Sequence, residues 1–113
     1  MHEFGIAEGA LKMVLERQRA AGAARVHAVT LRIGALAGVV PEALEFAFDA
    51  LKEGTPAAEA RLTIEHLPLI CYCAACNKEF TARASSYRCP DCGQASRDIR
   101  QGRELDLAAI EVS

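Results

Sequence analysis

The chain has 113 residues, about half of them apolar, no Trp and a formal net charge of −2. That length suits one compact domain, or a domain carrying a small module, with a core built from Leu, Ile, Val and Ala. The charge balance argues against bulk binding of nucleic acid or a membrane surface by the whole chain, although Lys78 to Arg103 alone holds six basic and three acidic residues.

The chain opens Met1-His2-Glu3-Phe4-Gly5-Ile6, which places an acid early and runs into an amphipathic pattern instead of the apolar stretch of a targeting segment. No run approaches the roughly 18 apolar residues that span a bilayer. From about Ile6 to Ala21 the spacing predicts a helix, with Ala7, Leu11, Val14 and Leu15 on one face and Gly22 as its stop. Val26 to Ile33 reads as a strand with Val29, Leu31 and Ile33 inward, and residues 34–38 as a loop. Pro41 sits at a first helical position, Glu42 and Glu45 suit that helix's N-terminal dipole, and Leu44, Ala47, Phe48 and Leu51 form its apolar stripe. A second strand follows, with Leu62, Ile64 and His66 alternating against Arg61, Thr63 and Glu65.

The texture then changes. Residues 71–92 hold all five cysteines and few aliphatics, so this segment needs a staple to fold. Aliphatic character returns at Leu105, Leu107, Ile110 and Val112, as expected of a final strand rejoining the first sheet. The expected architecture is α+β: a small βαβαβ-type mixed sheet with two helices, over 1–68 and 103–113, and a zinc-ribbon module over 69–102 inserted before the final strand.

Cys73-Ala-Ala-Cys76, twelve residues, then Cys89-Pro-Asp-Cys92 is the spacing of a four-thiolate zinc site. Each C-x-x-C turn supplies two thiolates. Asn77 and Gly93 follow the two pairs and tolerate the left-handed backbone that points N–H groups back at sulfur. Cys71 is placed outside this set, because C-x-C does not make the same turn. Five cysteines without a leader point to a reducing compartment, the cytoplasm, where thiols bind metal more often than they pair. A closed site of four thiolates staples a fold and does no chemistry.

At the N-terminus, the Met1 amine, the His2 amide nitrogen and the His2 imidazole can close two fused chelate rings around one metal, with Glu3 adding its amide or carboxylate. Such a nitrogen-rich, tetragonal set suits Ni(II) or Cu(II). His2 is large enough that Met1 should be retained. No Ser/His/Asp set, phosphate-binding loop or paired-carboxylate motif points to an enzyme.

Met1-His2-Glu3 opening a helix, Ile33-Gly34, Pro41-Glu42-Ala43-Leu44 through Phe46-Ala47-Phe48, Gly54-Thr55, Leu62-Thr63-Ile64-Glu65, the two C-x-x-C pairs with Cys89-Pro90, Glu104-Leu105 and Ile110-Glu111-Val112 together resemble the HypA/HybF family of nickel chaperones over essentially the whole chain. Gly5 stands where that family carries Ser or Ala, which loosens the first turn and leaves the ligand positions intact. The resemblance implies nickel held by Met1, His2 and Glu3, and structural zinc held by Cys73, Cys76, Cys89 and Cys92. It further implies delivery of nickel to the large subunit of nickel–iron hydrogenase, or to urease, with a HypB-type GTPase as partner. The rival is a zinc-ribbon adaptor that binds protein or nucleic acid without nickel. The few aromatics near the basic segment (Tyr72, Phe80, Tyr87) disfavour nucleic acid. A thiol redox protein is a third reading, disfavoured by the paired motif. Monomer and homodimer are both compatible with exposed edge strands.

Overall fold

The structure, a computed structural model, describes residues 2–83 and 85–113. It runs α1 (His2–Ala20), β1 (Val26–Gly34), α2 (Pro41–Leu51), β2 (Arg61–Leu67), β3 (Ile70–Cys73), β4 (Lys78–Thr81), β5 (Ile99–Gln101) and β6 (Leu105–Val112). β2, β1 and β6 form one mixed three-stranded sheet in that order; β4, β3 and β5 form a second, antiparallel one. The fold is α+β, as the patterning predicts, and the last strand does return to the first sheet. Arg25 and Ser113 exchange backbone bonds at one end of β1, and the Gly34 N–H donates to Glu104 at the other, so β1 and β6 run antiparallel.

The chain divides into two compact units. The first comprises the chain up to Leu31 with Val39–Glu65 and Asp106–Ser113; the second comprises Arg32–Gly38 and His66–Leu105. In the first unit α1 packs on α2. Its buried apolar side chains come from α1 (Ala7, Leu11, Val14), β1 (Val26, Val29, Leu31) and α2 (Leu44, Ala47, Phe48). Apart from Val26, which is buried out of phase with Val29 and Leu31, these are positions that the 3.6-residue and two-residue periods select. α1 ends in a Schellman arrangement: Gly22 has φ 68°, Ala23 N–H donates to Gln18 and Gly22 N–H to Arg19.

Three expectations are corrected. α1 begins at His2, not Ile6. Its first turn buries a carboxylate, Glu3, which an apolar-periodicity count does not register. Residues 35–37 form a 3-10 turn, where sequence suggests loop. In β2 the alternation slips at Glu65 and His66, both exposed, so His66 does not share the half-buried face of Leu62 and Ile64.

The second unit buries little: Leu69, Cys71, Cys73, Phe80 and Cys89 form its core, with Leu36, Ala82, Tyr87 and Ile99 packed around it. Three of those five core residues are cysteines. A Cβ on Gly34 would strike the Gly102 carbonyl, and that carbonyl accepts the Leu36 N–H at 2.8 Å. Glycine at 34 therefore permits a backbone approach that closes this unit.

Candidate metal centres

The four-cysteine centre is built from two turns. β3 and β4 form a hairpin in which Cys73 faces Lys78, and Ala74 to Asn77 make its loop. Asn77 has φ 54°, the left-handed conformation the turn needs. The Tyr72 hydroxyl bonds the Asn77 side chain and holds it there. The second turn closes by Gly93 N–H donating to Cys89 O at 2.8 Å and Cys89 N–H to Gln94 O at 2.9 Å, with Gly93 at φ 75°. Both left-handed positions are those the spacing singled out.

These turns bring Cys73, Cys76, Cys89 and Cys92 together, with all four sulfurs within 4.8 Å of one another. Cys73 Sγ lies 3.6 Å from Cys92 Sγ, and Cys89 Sγ 3.9 Å from Cys76 Sγ. A zinc–sulfur bond of about 2.3 Å in a tetrahedron sets sulfur–sulfur edges of about 3.8 Å. The four thiols therefore fit a tetrahedral ion, and no pair is bonded as a disulfide. Cys71 lies fully buried in β3 opposite Phe80 and is not in this group.

The electrostatics favour a cation at the centre. Contact with the Cys92 thiol, then burial, pushes the Cys76 thiol up to about 12. For Cys92 the Gln94 N–H pulls downward, but the Cys73 thiol and burial outweigh it and the net direction is up. Cys89 is held down, chiefly by the Cys92 backbone N–H. Without a cation, Cys76 and Cys92 resist becoming thiolates. A divalent ion removes that resistance, and the inward N–H groups neutralise part of the remaining charge.

Around the cluster most of the basic side chains are engaged locally. Lys78 pairs with Asp91. Arg100 pairs with Asp98 at 2.9 Å and lies over the Tyr72 ring at 4.3 Å. Arg97 lies over Tyr87 at 4.6 Å, and Arg88 donates to Gly93 O at 2.9 Å.

The second candidate centre is the N-terminal motif. Met1, the predicted amine ligand, lies outside the described residues. His2 and Glu3 stand in the first turn of α1, whose N–H groups have no carbonyl four residues earlier to receive them. His2 is exposed, and its Nε2 is 3.3 Å from Glu3 Oε2. Glu3 is only 7% exposed, and the same Oε2 accepts the Val40 N–H at 3.0 Å. That bond, more than any other cause, holds the Glu3 carboxyl below its ordinary value. Val40 is the N-cap of α2 and has no side-chain cap of its own, so Glu3 caps the second helix as well as belonging to the first. Nothing in the local sequence signals this, because the partner is a backbone N–H 37 residues away.

His27 and His66 stand apart from these groups. His27 Nε2 lies 2.5 Å from the Ser113 hydroxyl, and His66 is exposed in β2. Among the described residues no helix is long and apolar enough to cross a membrane.

Comparison with known proteins agrees with these features. The family model for HypA, the hydrogenase/urease nickel-incorporation metallochaperone, matches residues 1–112. The hydrogenase maturation factors HypA of Picosynechococcus sp. and Chloroflexus aggregans are 42% and 46% identical over 112 residues. The match covers 99% of both chains in the first case and 98% of both in the second. The solution structure of the nickel metallochaperone HypA from Helicobacter pylori is similar in fold, with a TM-score of 0.68 at 21% identity, covering 97% of this chain and 96% of that one. Matched from end to end, the chain belongs to the HypA family of hydrogenase and urease nickel-incorporation metallochaperones.

Proposed function

We propose that this chain binds Ni(II) at its N-terminus and delivers it for maturation of nickel–iron hydrogenase, while Cys73, Cys76, Cys89 and Cys92 hold structural zinc. The observation that carries this is the position of His2 and Glu3 in the first turn of α1, in a chain matching the HypA family over residues 1–112. The His2 and Glu3 nitrogens lie in the first turn, so nickel can replace their protons without breaking the i→i−4 ladder of α1. The Met1 amine, the His2 amide and His2 Nδ1 then close a five- and a six-membered ring. Nε2 is left facing the Glu3 carboxylate, which fixes the tautomer and orients the imidazole. Glu3 contributes its amide, because its carboxylate is already used on Val40.

The nickel-binding domain is 1–68 with 103–113, and the ribbon, 69–102, is its zinc-stapled companion. The partners are a HypB-type GTPase, which supplies the nucleotide hydrolysis this chain has no motif for, and the hydrogenase large subunit. Urease is a second recipient of the same chemistry. The setting is cytoplasmic, and the chain works as a monomer or homodimer.

Calorimetric titration with Ni(II) tests the site. His2→Ala should abolish specific nickel binding and leave zinc content and helicity unchanged, since an exposed residue at a chain terminus supports little packing. A few residues added before Met1 should do nearly the same, because the amine becomes an amide. Unchanged nickel affinity in the extended form would remove the amine from the ligand set and move the site elsewhere.

A further inference from the structure

Two of the three acids in the basic segment 78–103 are already taken: Asp91 pairs with Lys78 and Asp98 with Arg100. The surplus positive charge therefore falls on Arg83, Arg88, Arg97 and Arg103, against Glu79. Two of these arginines come together. Arg88 and Arg97 line one hollow of about 250 Å³ with Ser85, Ser86, Tyr87 and Ala95, and no carboxylate lines it. Basic side chains scattered over a surface are ordinary. Here they converge on hydroxyl groups, within a frame that the fold holds in place.

Arg83 and Ser86 exchange both backbone hydrogen bonds, at 3.2 and 2.9 Å. Arg88 pairs with Ala95 in an antiparallel bridge, and the Ser96 N–H donates to Tyr87 O at 2.8 Å. Arg97 lies over the Tyr87 ring, 4.6 Å from its centre. Stacking uses the face of a guanidinium group and leaves the N–H donors at its edge. Arg88 spends one donor on Gly93 O at 2.9 Å, which fixes the side chain and leaves its other donors to spare. The Ser96 hydroxyl is spent on Tyr72 O. Among the described residues no hydrogen bond occupies the hydroxyls of Ser85 and Ser86.

We propose that this hollow binds the phosphate group of a small molecule, through the guanidinium groups of Arg88 and Arg97 and the hydroxyls of Ser85 and Ser86. The donors decide the ligand class. Arginine presents N–H pairs in a fixed fork that matches phosphate oxygens, and a phosphate monoester carries three acceptor oxygens and a charge of about −1.5 to −2. A carboxylate offers two oxygens and a single charge, too few for two forks and two hydroxyls. The volume is below the roughly 300–1,000 Å³ of sites for drug-sized ligands, so the hollow suits a headgroup rather than a whole cofactor. A nucleic-acid strand needs aromatic faces on which bases stack, and the ring in this hollow, Tyr87, is covered by Arg97. The site shares no residue with His2 and Glu3, so the inference goes beyond the nickel function and is independent of it.

The test is an amide NMR titration of the full, zinc-loaded, nickel-free chain at constant ionic strength, with inorganic phosphate and, in parallel, with glycerol phosphate. Saturable shifts are expected at the amides of Ser85, Ser86, Arg88 and Ala95, with none from chloride. Arg97→Gln should weaken binding about 10–100-fold. Arg97→Lys should lose part of it, since it keeps the charge but not the fork, and Ser86→Ala should lose less. Arg103→Gln removes the same charge outside the hollow and should change nothing. All four variants should keep their zinc. Tighter binding of glycerol phosphate makes the ligand an ester, and tighter binding of inorganic phosphate makes it the free ion; either supports the site. Wild-type affinity in Arg97→Gln, an equal loss in Arg103→Gln, or shifts that never saturate would overturn it. So would a single-stranded oligonucleotide that binds far more tightly than either phosphate, because the hollow would then be part of a nucleic-acid surface.

Discussion

The two units of this chain solve the stability problem in opposite ways. The first buries aliphatic side chains from two helices and a strand, with Leu44 and Phe48 wholly enclosed. The second has Leu69 and Phe80 as its only large side chains in a buried core of five, and cysteines supply the rest. A unit of that size rarely closes on apolar burial alone. On the proposed assignment, metal occupies different levels in the two halves: zinc would replace the core in the ribbon, whereas His2 stands at the exposed start of a helix whose unit has an aliphatic core of its own. Removing zinc should therefore be a folding experiment, and removing nickel should not.

The largest break in that contrast is expected from Cys76→Ser or Cys92→Ser. Either should lose zinc and, with it, stabilisation on the order of 10 kcal/mol, so that amides of β3, β4 and β5 exchange freely while those of α1 and α2 stay protected. A strong chelator should do the same to the native chain. Full zinc content and a protected ribbon in either variant would refute the four-thiolate assignment. Cys71→Ser should keep its zinc. The converse experiment is Phe48→Ala. It should cost the first unit about 3–5 kcal/mol through the cavity it leaves, with zinc content unchanged by metal analysis. Loss of zinc from this variant would show that the ribbon leans on the first unit's core.

How much of this was legible in the sequence follows the same division. Val29 and Leu31, and Leu44, Ala47 and Phe48, were readable because a helix or strand with one buried face repeats its apolar residues at a fixed period. The ribbon was readable by a different code, the C-x-x-C spacing with Asn77 and Gly93 behind it. Its strands were not: β3 and β4 have four residues each and β5 three, too short to show a period. The start of α1 was missed because Glu3 is a buried acid whose partner, the Val40 N–H, is remote in sequence.

The smallest effect sharpens the comparison most, because acid should act on the two units through different atoms. In the ribbon, if zinc is bound as proposed, protons would compete with it for the thiolates. In the first unit the sensitive element is the Glu3–Val40 bond. The folded state holds the Glu3 carboxyl below the usual glutamate value of 4.5 because Val40 N–H, first among its causes, favours the charged form. A lowered folded value means stabilisation that is complete above pH 4.5 and lost as pH falls through the folded value. The Val40 amide proton should report this directly, with a titration midpoint below 4.5 in the wild-type NMR spectrum. In Glu3→Gln the amide oxygen can still accept that N–H, but without charge assistance. Its melting temperature should fall slightly at neutral pH and converge on that of the wild type in acid. The Val40 shift should then stay flat across the acid range, whatever the ribbon amides do as zinc leaves. A wild-type midpoint at or above 4.5, or a Val40 titration that survives Glu3→Gln, would mean that Glu3 does not cap α2, and would return its carboxylate to the candidates for nickel.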